Sequence, residues 1–191
     1  MAAQTSDEHG PGDFAATGQP TISEFALIAA IRAAAEGGAA AGSATAVARG
    51  GVRCGIGDDT AILVPPPGEL LVTTDTMVEG VHFRWDFTTP AAVGSKAAAT
   101  NLSDIAAMGG TPLHATLALS LPAPLDGRLA LGIVSGCVAT LGRFGAVLVG
   151  GDVTRSPGPV VVTITLLGVA PHGSSVRRHG AAPDDDVWVA G

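Results

Sequence analysis

Lysine occurs once in these 191 residues, at Lys96, and the ten lysines and arginines face seventeen aspartates and glutamates, a net charge of −7. That deficit argues against a nucleic-acid phosphate tract as the natural partner, because such binding rests on clustered cations. Cysteine is almost as scarce. Cys54 and Cys137 are the only two, so there is no disulfide framework and no zinc-ligand spacing. No apolar run reaches the length of a membrane span, since Gly, Pro and Thr interrupt every strand. The first residues are polar and acidic, without the basic and apolar regions of a signal peptide, so a cytosolic protein is the simplest expectation. There is no G-x-x-x-x-G-K-[ST] loop and no dinucleotide fingerprint. If this chain handles phosphates, it must do so through metal ions held by acids.

What is present is a core. Hydrophobic residues make up 47% of the chain and the mean hydropathy is +0.41, which excludes global disorder. Residues 1–20, rich in Gly, Ala, Gln, Asp and Pro, read as a mobile tail. Thr21-Ile22-Ser23-Glu24 fits an S/T-x-x-E capping box, and the spacing of Leu27, Ile28, Ile31 and Ala35 predicts a helix to about Ala35. The Ala/Gly/Ser/Thr stretch Gly37–Gly51 reads as a loop. A second helix is expected from Thr89 as N-cap and Pro90 at its first position, ending at Gly109-Gly110. On it, Lys96, Thr100 and Asp104 follow at i, i+4 and i+8, with Asn101 one turn before Asp104. Leu113–Leu121 alternates as a strand with one core face and one mixed, small face that could meet a second sheet or subunit. A third helix follows to about Arg143, with Cys137 on its buried stripe and Gly145 as its cap. Strands are expected at Ala146–Val149 and Val160–Val169. Residues 177–184 read as a linker, and Val187–Gly191 as the first strand of a further domain.

Chemistry concentrates between Gly55 and Phe83. Ile62–Val64 follows Asp58-Asp59, and Leu70–Val72 runs into Thr73-Thr74-Asp75. Acids at the ends of otherwise buried strands are costly unless solvated, paired or metal-bound. A hairpin whose turns carry Asp explains one such acid, and a solvated helix face explains Asp104. Asp152, after Val147-Leu148-Val149-Gly150-Gly151, makes a third strand-flanking acid, and the paired glycines would allow close backbone approach to a ligand. Strand–helix alternation is expected to bring Asp59, Asp75, Asp104 and Asp152 together. Four converging acids repel unless cations sit among them, and an oxygen-only donor set selects hard cations such as Mg²⁺.

Four motifs carry a family resemblance. Gly55-Ile56-Gly57-Asp58-Asp59, Thr73-Thr74-Asp75-Thr76-Met77-Val78-Glu79-Gly80-Val81-His82-Phe83, Asn101-Leu102-Ser103-Asp104-Ile105-Ala106-Ala107-Met108-Gly109 and Gly150-Gly151-Asp152-Val153-Thr154-Arg155 together resemble thiamine-monophosphate kinase. That family lies in the aminoimidazole-ribonucleotide synthetase-like superfamily, and the resemblance spans residues 21–191. It implies an α+β fold, an α/β sandwich with a mixed sheet covered by helices, whose sheets pair across a homodimer through the strands Leu113–Leu121 and Val160–Val169. It implies an ATP- and Mg²⁺-binding domain over 21–172, with 173–191 as linker and first strand of a truncated second domain. The implied reaction passes the γ-phosphoryl group of ATP to thiamine monophosphate, giving thiamine diphosphate. Asp59, Thr73, Thr74, Asp75, Asp104 and Asp152 would hold Mg²⁺, with Asp59 rather than Asp58 the ligand. Gly151, Asp152 and Arg178 would lie near the ATP phosphates, and His82 would contact the thiamine phosphate. The acceptor is already largely deprotonated near neutral pH, so no catalytic base is expected; positioning and charge neutralisation should suffice.

Departures from the pattern are Pro183-Asp184-Asp185 in place of Pro-Gly-Asp, a longer N-terminal tail and a longer Ala/Gly loop. The family's second domain carries another Mg²⁺-binding cluster and much of the thiamine pocket, so the chain by itself is expected to have little or no activity. Two alternatives remain open to the residues. One is another ATP-using enzyme of the superfamily, such as selenophosphate or aminoimidazole-ribonucleotide synthetase, although Cys54 lacks the Gly-Gly-Cys context of a nucleophile. The other is a metal-binding dimerisation domain without catalysis.

Overall fold

A computed structural model describes residues 22–41, 51–124 and 126–187. Helix α1 spans Glu24–Ala41. Its cap is Ser23, whose Oγ accepts from the Ala26 N–H at 3.3 Å; Thr21, the expected partner in a capping box, lies outside the described residues. Leu27, Ile31 and Ala35 are buried as their spacing requires, but the helix continues past Ala35 through Gly37, where a loop was expected. Ala is the best helix former and outweighs two glycines here. The expected tail 1–20 and the rest of the loop, 42–50, lie outside the described residues.

A short antiparallel pair follows, β1 (Val52–Cys54) and β2 (Ile62–Leu63). The main sheet has four strands: β3 (Glu69–Val78), β4 (Thr111–Pro122), β5 (Val147–Ser156) and β6 (Val161–Ala170). Their order is β3-β6-β4-β5, antiparallel except for the β4–β5 pair. Helix α2 (Pro90–Ala107) links β3 to β4, and α3 (Gly127–Arg143) links β4 to β5. The β4–α3–β5 connection is thus the parallel crossover of the fold, whose helix packs back onto the sheet. α2 starts where the residue pattern says, and α3 starts at a cap the pattern had not marked. Thr89 Oγ1 accepts from the Ala92 N–H with Pro90 at the first helical position, and Asp126 accepts from the N–H groups of Arg128 and Leu129.

The core lies between the sheet and the helices. Leu117, Leu119, Leu121, Val162, Ile164 and Leu166 are at most 5% exposed beneath them. Helices α2 and α3 cross closely because Gly94 and Gly136 have no Cβ. A Cβ on Gly94 would stand 1.8 Å from the Ile133 carbonyl oxygen, and one on Gly136 1.9 Å from that of Ala91. Cys137 is buried in this layer, and burial pushes its thiol from 9.0 to about 12. The protonated form is therefore the native one. Its stability contribution is present below pH 9 and is lost as pH rises towards 12, because the unfolded thiol ionises first. We expect a thiol-specific disulfide reagent at pH 8 to label half-buried Cys54 well before Cys137, with Cys137 reacting only at the rate of unfolding; equal rates would contradict this packing.

β4 and β6 are the two central strands, and their core-face residues Leu117, Leu119 and Val162 meet the helices as the alternation predicts. The face left open carries small and β-branched residues instead: Thr74 and Thr165 hydroxyls bond at 2.9 Å across the β3–β6 pair, and Thr76 and Thr163 at 2.8 Å. Two other expectations change. Asp75 and Asp152 sit inside β3 and β5, not at their ends. These are the two edge strands of the sheet, where a carboxylate within a strand still reaches solvent. Val187 is not in a strand, and residues 188–191 of the expected final strand lie outside the described residues.

Candidate active site

The acids fall into two groups. On β3, Thr73 and Asp75 alternate with Thr74 and so point to the opposite face of the sheet. Thr73 Oγ1 donates to Asp104 Oδ2 of α2 at 2.5 Å. Two motifs separated by 31 residues thereby become one oxygen-donor group, with Asp75 two residues along the same face. Thr74 bonds Thr165 on the other face and is not brought to this group. Asn101, expected beside Asp104 on a polar face, is fully buried; its Nδ2 donates to the Ala97 carbonyl, and its Oδ1 finds no partner among the described residues.

The second group lines a groove of about 820 Å³ beside the β5 edge, walled by Phe25 and Ile28 of α1 and by the loop leading from β1 to β2. Asp59 and Asp152 both face it. Asp58 does too, but its Oδ1 accepts from the Asp59 N–H at 2.8 Å, which ties it into the turn and leaves the Asp59 carboxylate for other partners. Gly151 lines the groove as well. The reason for glycine there is β4 rather than a ligand: a Cβ would stand 2.0 Å from the Leu117 carbonyl oxygen, next to the register shift after Ala115.

The expected convergence of four acids is absent within one chain. Asp75 pairs with Ile164, Ile164 with Leu117 and Leu117 with Gly151, the neighbour of Asp152. Three strand spacings separate the two groups, about 14 Å. Among the described residues no three His, Cys, Asp or Glu side chains lie close enough to share an ion. Each smaller group still suits Mg²⁺, which binds through one or two carboxylates, keeps water and completes its shell with phosphate oxygens.

His82 lies in the turn after β3, exposed. Its Nδ1 accepts from the Val78 N–H at 3.1 Å, and its own N–H donates to the Val78 carbonyl at 2.8 Å. With Nδ1 occupied as acceptor, the ring proton is on Nε2, which faces outward as a donor. The Lys96 ammonium donates to the His82 carbonyl at 2.8 Å, a contact that helical spacing alone could not signal. Arg178 is exposed and is not part of the groove. The segment before it is fastened elsewhere: the Val176 N–H donates to the Met108 carbonyl, and the Ser175 hydroxyl and Gly173 N–H both donate to Glu69. The two bonds to Glu69, the Ser175 hydroxyl first and then the Gly173 N–H, hold its carboxyl below its usual range.

Residues 57–170 match the family model for AIR synthase related protein, N-terminal domain. The chain belongs to that family. The thiamine-monophosphate kinase of Synechococcus elongatus is 45% identical over 138 residues, covering 71% of this chain and 41% of that protein. The crystal structure of thiamine-monophosphate kinase from Stenotrophomonas maltophilia K279a superposes with a TM-score of 0.65 at 39% identity, covering 82% of this chain and 45% of that one. A further solved structure, AaThiL complexed with AMPPCP and TMP, gives a TM-score of 0.57 at 31% identity, with 87% and 48% covered. The chain thus spans less than half the length of these relatives. The α+β fold, with its mixed sheet and covering helices, is that of the family domain. Among the described residues no helix is long and apolar enough to cross a membrane.

Proposed function

We propose that the protein transfers the γ-phosphoryl group of ATP to thiamine monophosphate, with this chain as the domain that binds ATP and Mg²⁺. One observation carries the reading most. The Thr73–Asp104 bond joins two motifs into an oxygen-donor group, in a chain 45% identical to a kinase of that name. The solved relative with bound AMPPCP and TMP supports the same pair of ligands, an ATP-like nucleotide and the phosphorylated acceptor.

The chemistry that Mg²⁺ would supply, when held by these acids, is neutralisation of phosphate charge during the transfer. Asp75 and Asp104 would hold the ion on one side, with Thr73 fixing the Asp104 carboxylate. Asp59 and Asp152 would hold it on the other, beside the groove. His82 would donate from Nε2 to the acceptor phosphate. Thr74 would contribute through the Thr74–Thr165 bond that keeps β3 in register, and Gly151 through the same edge as Asp152; Arg178 would reach the nucleotide phosphates from the segment beyond Val176.

We propose further that a homodimer completes the site, a reading that the sheet order supports. β3 and β5 are the free edges, and two such sheets meeting about a two-fold axis would set the β3 edge of one against the β5 edge of the other. The open threonine face would then be covered, and the partner's Asp152 would approach Asp75. Residues 173–187 would lead into the second domain, in a protein acting in the cytoplasm. The direct test follows [γ-³²P]ATP and thiamine monophosphate with the full-length protein and Mg²⁺: thiamine diphosphate should form, Mg²⁺ removal should abolish it, and no transfer to thiamine monophosphate would overturn the reading.

A further inference from the structure

Lys96 is the chain's single lysine, exposed on the polar side of α2. Among the described residues its one hydrogen bond goes to a neutral carbonyl, that of His82, at 2.8 Å. An ammonium has three donors, so two remain, and a carbonyl cancels none of its charge. Ion pairing does not cancel it either: the two ion pairs among the described residues are Arg32–Glu36 and Arg84–Asp86. Arg84, the cation closest to His82 in sequence, is thus committed. Its Nε and one terminal nitrogen donate to the two Asp86 oxygens at 3.1 and 2.6 Å, and its guanidinium lies 5.4 Å from the centre of the Phe87 ring. The turn that presents the His82 Nε2 donor therefore carries one uncommitted positive charge, in a chain of net charge −7.

Position along the helix gives this charge a place in the reaction. Lys96 and Asp104 are eight residues apart, about 12 Å along the axis. One end of that stripe is the oxygen-donor group with Thr73; the other is the ammonium on the His82 turn. A phosphate monoester lying between them would meet metal-held nucleotide phosphates on one side and two donors on the other. Lysine binds phosphate as a point charge, and a charge-assisted bond is roughly twice as strong as a neutral one.

We propose that Lys96 is a specificity-determining residue for the acceptor: its ammonium, anchored on the His82 carbonyl, binds the acceptor's phosphate and selects a phosphorylated molecule over its unphosphorylated counterpart. This rests on the phosphoryl-transfer reading, and the test separates the two. Lys96 acetylation by acetic anhydride, followed by peptide mass mapping of the full-length protein with Mg²⁺ and a non-hydrolysable ATP analogue, reads the site directly. Inorganic phosphate and thiamine monophosphate should each slow the modification severalfold or more, whereas thiamine should not. Lys96→Met should raise KM for thiamine monophosphate about ten- to a hundredfold while KM for ATP stays put, and Lys96→Arg should recover most of the loss. A mere strut for the turn would instead lower kcat and thermal stability with no change in the preference for phosphate over hydroxyl. If thiamine monophosphate is phosphorylated while Lys96→Met leaves its KM unchanged, the Lys96 assignment falls and the reaction stands. If phosphates protect Lys96 but thiamine monophosphate is not phosphorylated, the reaction falls and the Lys96 assignment stands.

Discussion

Asp75→Asn and Asp152→Asn, each in the full-length protein, are expected to lower kcat by about a hundred- to a thousandfold, the scale seen when one charge-stabilising group is removed from a transition state. Stability should hardly move. Asp152 is exposed and Asp75 half-exposed, neither has a side-chain hydrogen-bond partner among the described residues, and surface changes of this kind stay within roughly 0.5 kcal/mol. The apo melting temperature could rise where repulsion with Asp104 or Asp59 is relieved. A sharper outcome follows from the sheet order. If the site is completed across a dimer, each site combines Asp75 of one chain with Asp152 of the other. Mixing the two dead variants and allowing exchange then produces mixed dimers with one site that lacks both acids and one site that is intact. Activity should return to roughly a quarter of wild type at equal mixing, because half of the dimers are mixed and each has one intact site of two. A mixture that stays inactive, with exchange shown by light scattering or native mass spectrometry, would mean that both groups act within one chain or that no such dimer forms. Unfolding of both variants with metal dependence unchanged would make these acids structural.

The division of the acids into two edges explains what could be read from the residues and what could not. Local signals were sufficient for the start of α2: Thr89 and Pro90 mark it because their chemistry satisfies free backbone donors, and the same logic works for Ser23, two positions later in the capping box than expected. Alternation was sufficient for β4, whose Leu113-to-Leu121 set is the buried face. The acid motifs are legible as chemistry because carboxylates beside apolar strands need a reason. Their separation into two groups was not legible, since it depends on which strands end up at the edges. β3 and β5 are 69 residues apart between Val78 and Val147, and nothing in either strand's pattern says that β6 and β4 insert between them. The face of Thr74 depends in the same way on its register with Thr165. Lys96 is the reverse case. It was visible as part of a polar stripe, but its hydrogen bond to His82 depends on how the turn after β3 folds back over α2.

His82→Ala is expected to raise KM for thiamine monophosphate by about ten- to a hundredfold, the worth of one hydrogen bond to a charged group. KM for ATP should be nearly unchanged and kcat should fall only modestly. The reason lies in the ring's two nitrogens. Nδ1 is occupied by the Val78 N–H, so the ring is oriented by the turn that carries it and can offer the acceptor only the Nε2 proton. A phosphate monoester largely ionised near neutral pH has no proton to give up, so the imidazole has nothing to abstract and its contribution is binding. Loss of the ring also frees the Val78 N–H, which lies at the very end of β3 beside the exposed turn, so only a small penalty in folding is expected. His82→Gln, with a side-chain amide donor in reach of the same region, should recover part of the KM loss but none of a proton-transfer role. These outcomes separate the two mechanisms in the KM-against-kcat split. A drop in kcat of several orders of magnitude at constant KM, unrelieved by Gln, would show that the imidazole acts in the transition state, and the acceptor's phosphate would then have to be placed against a different donor.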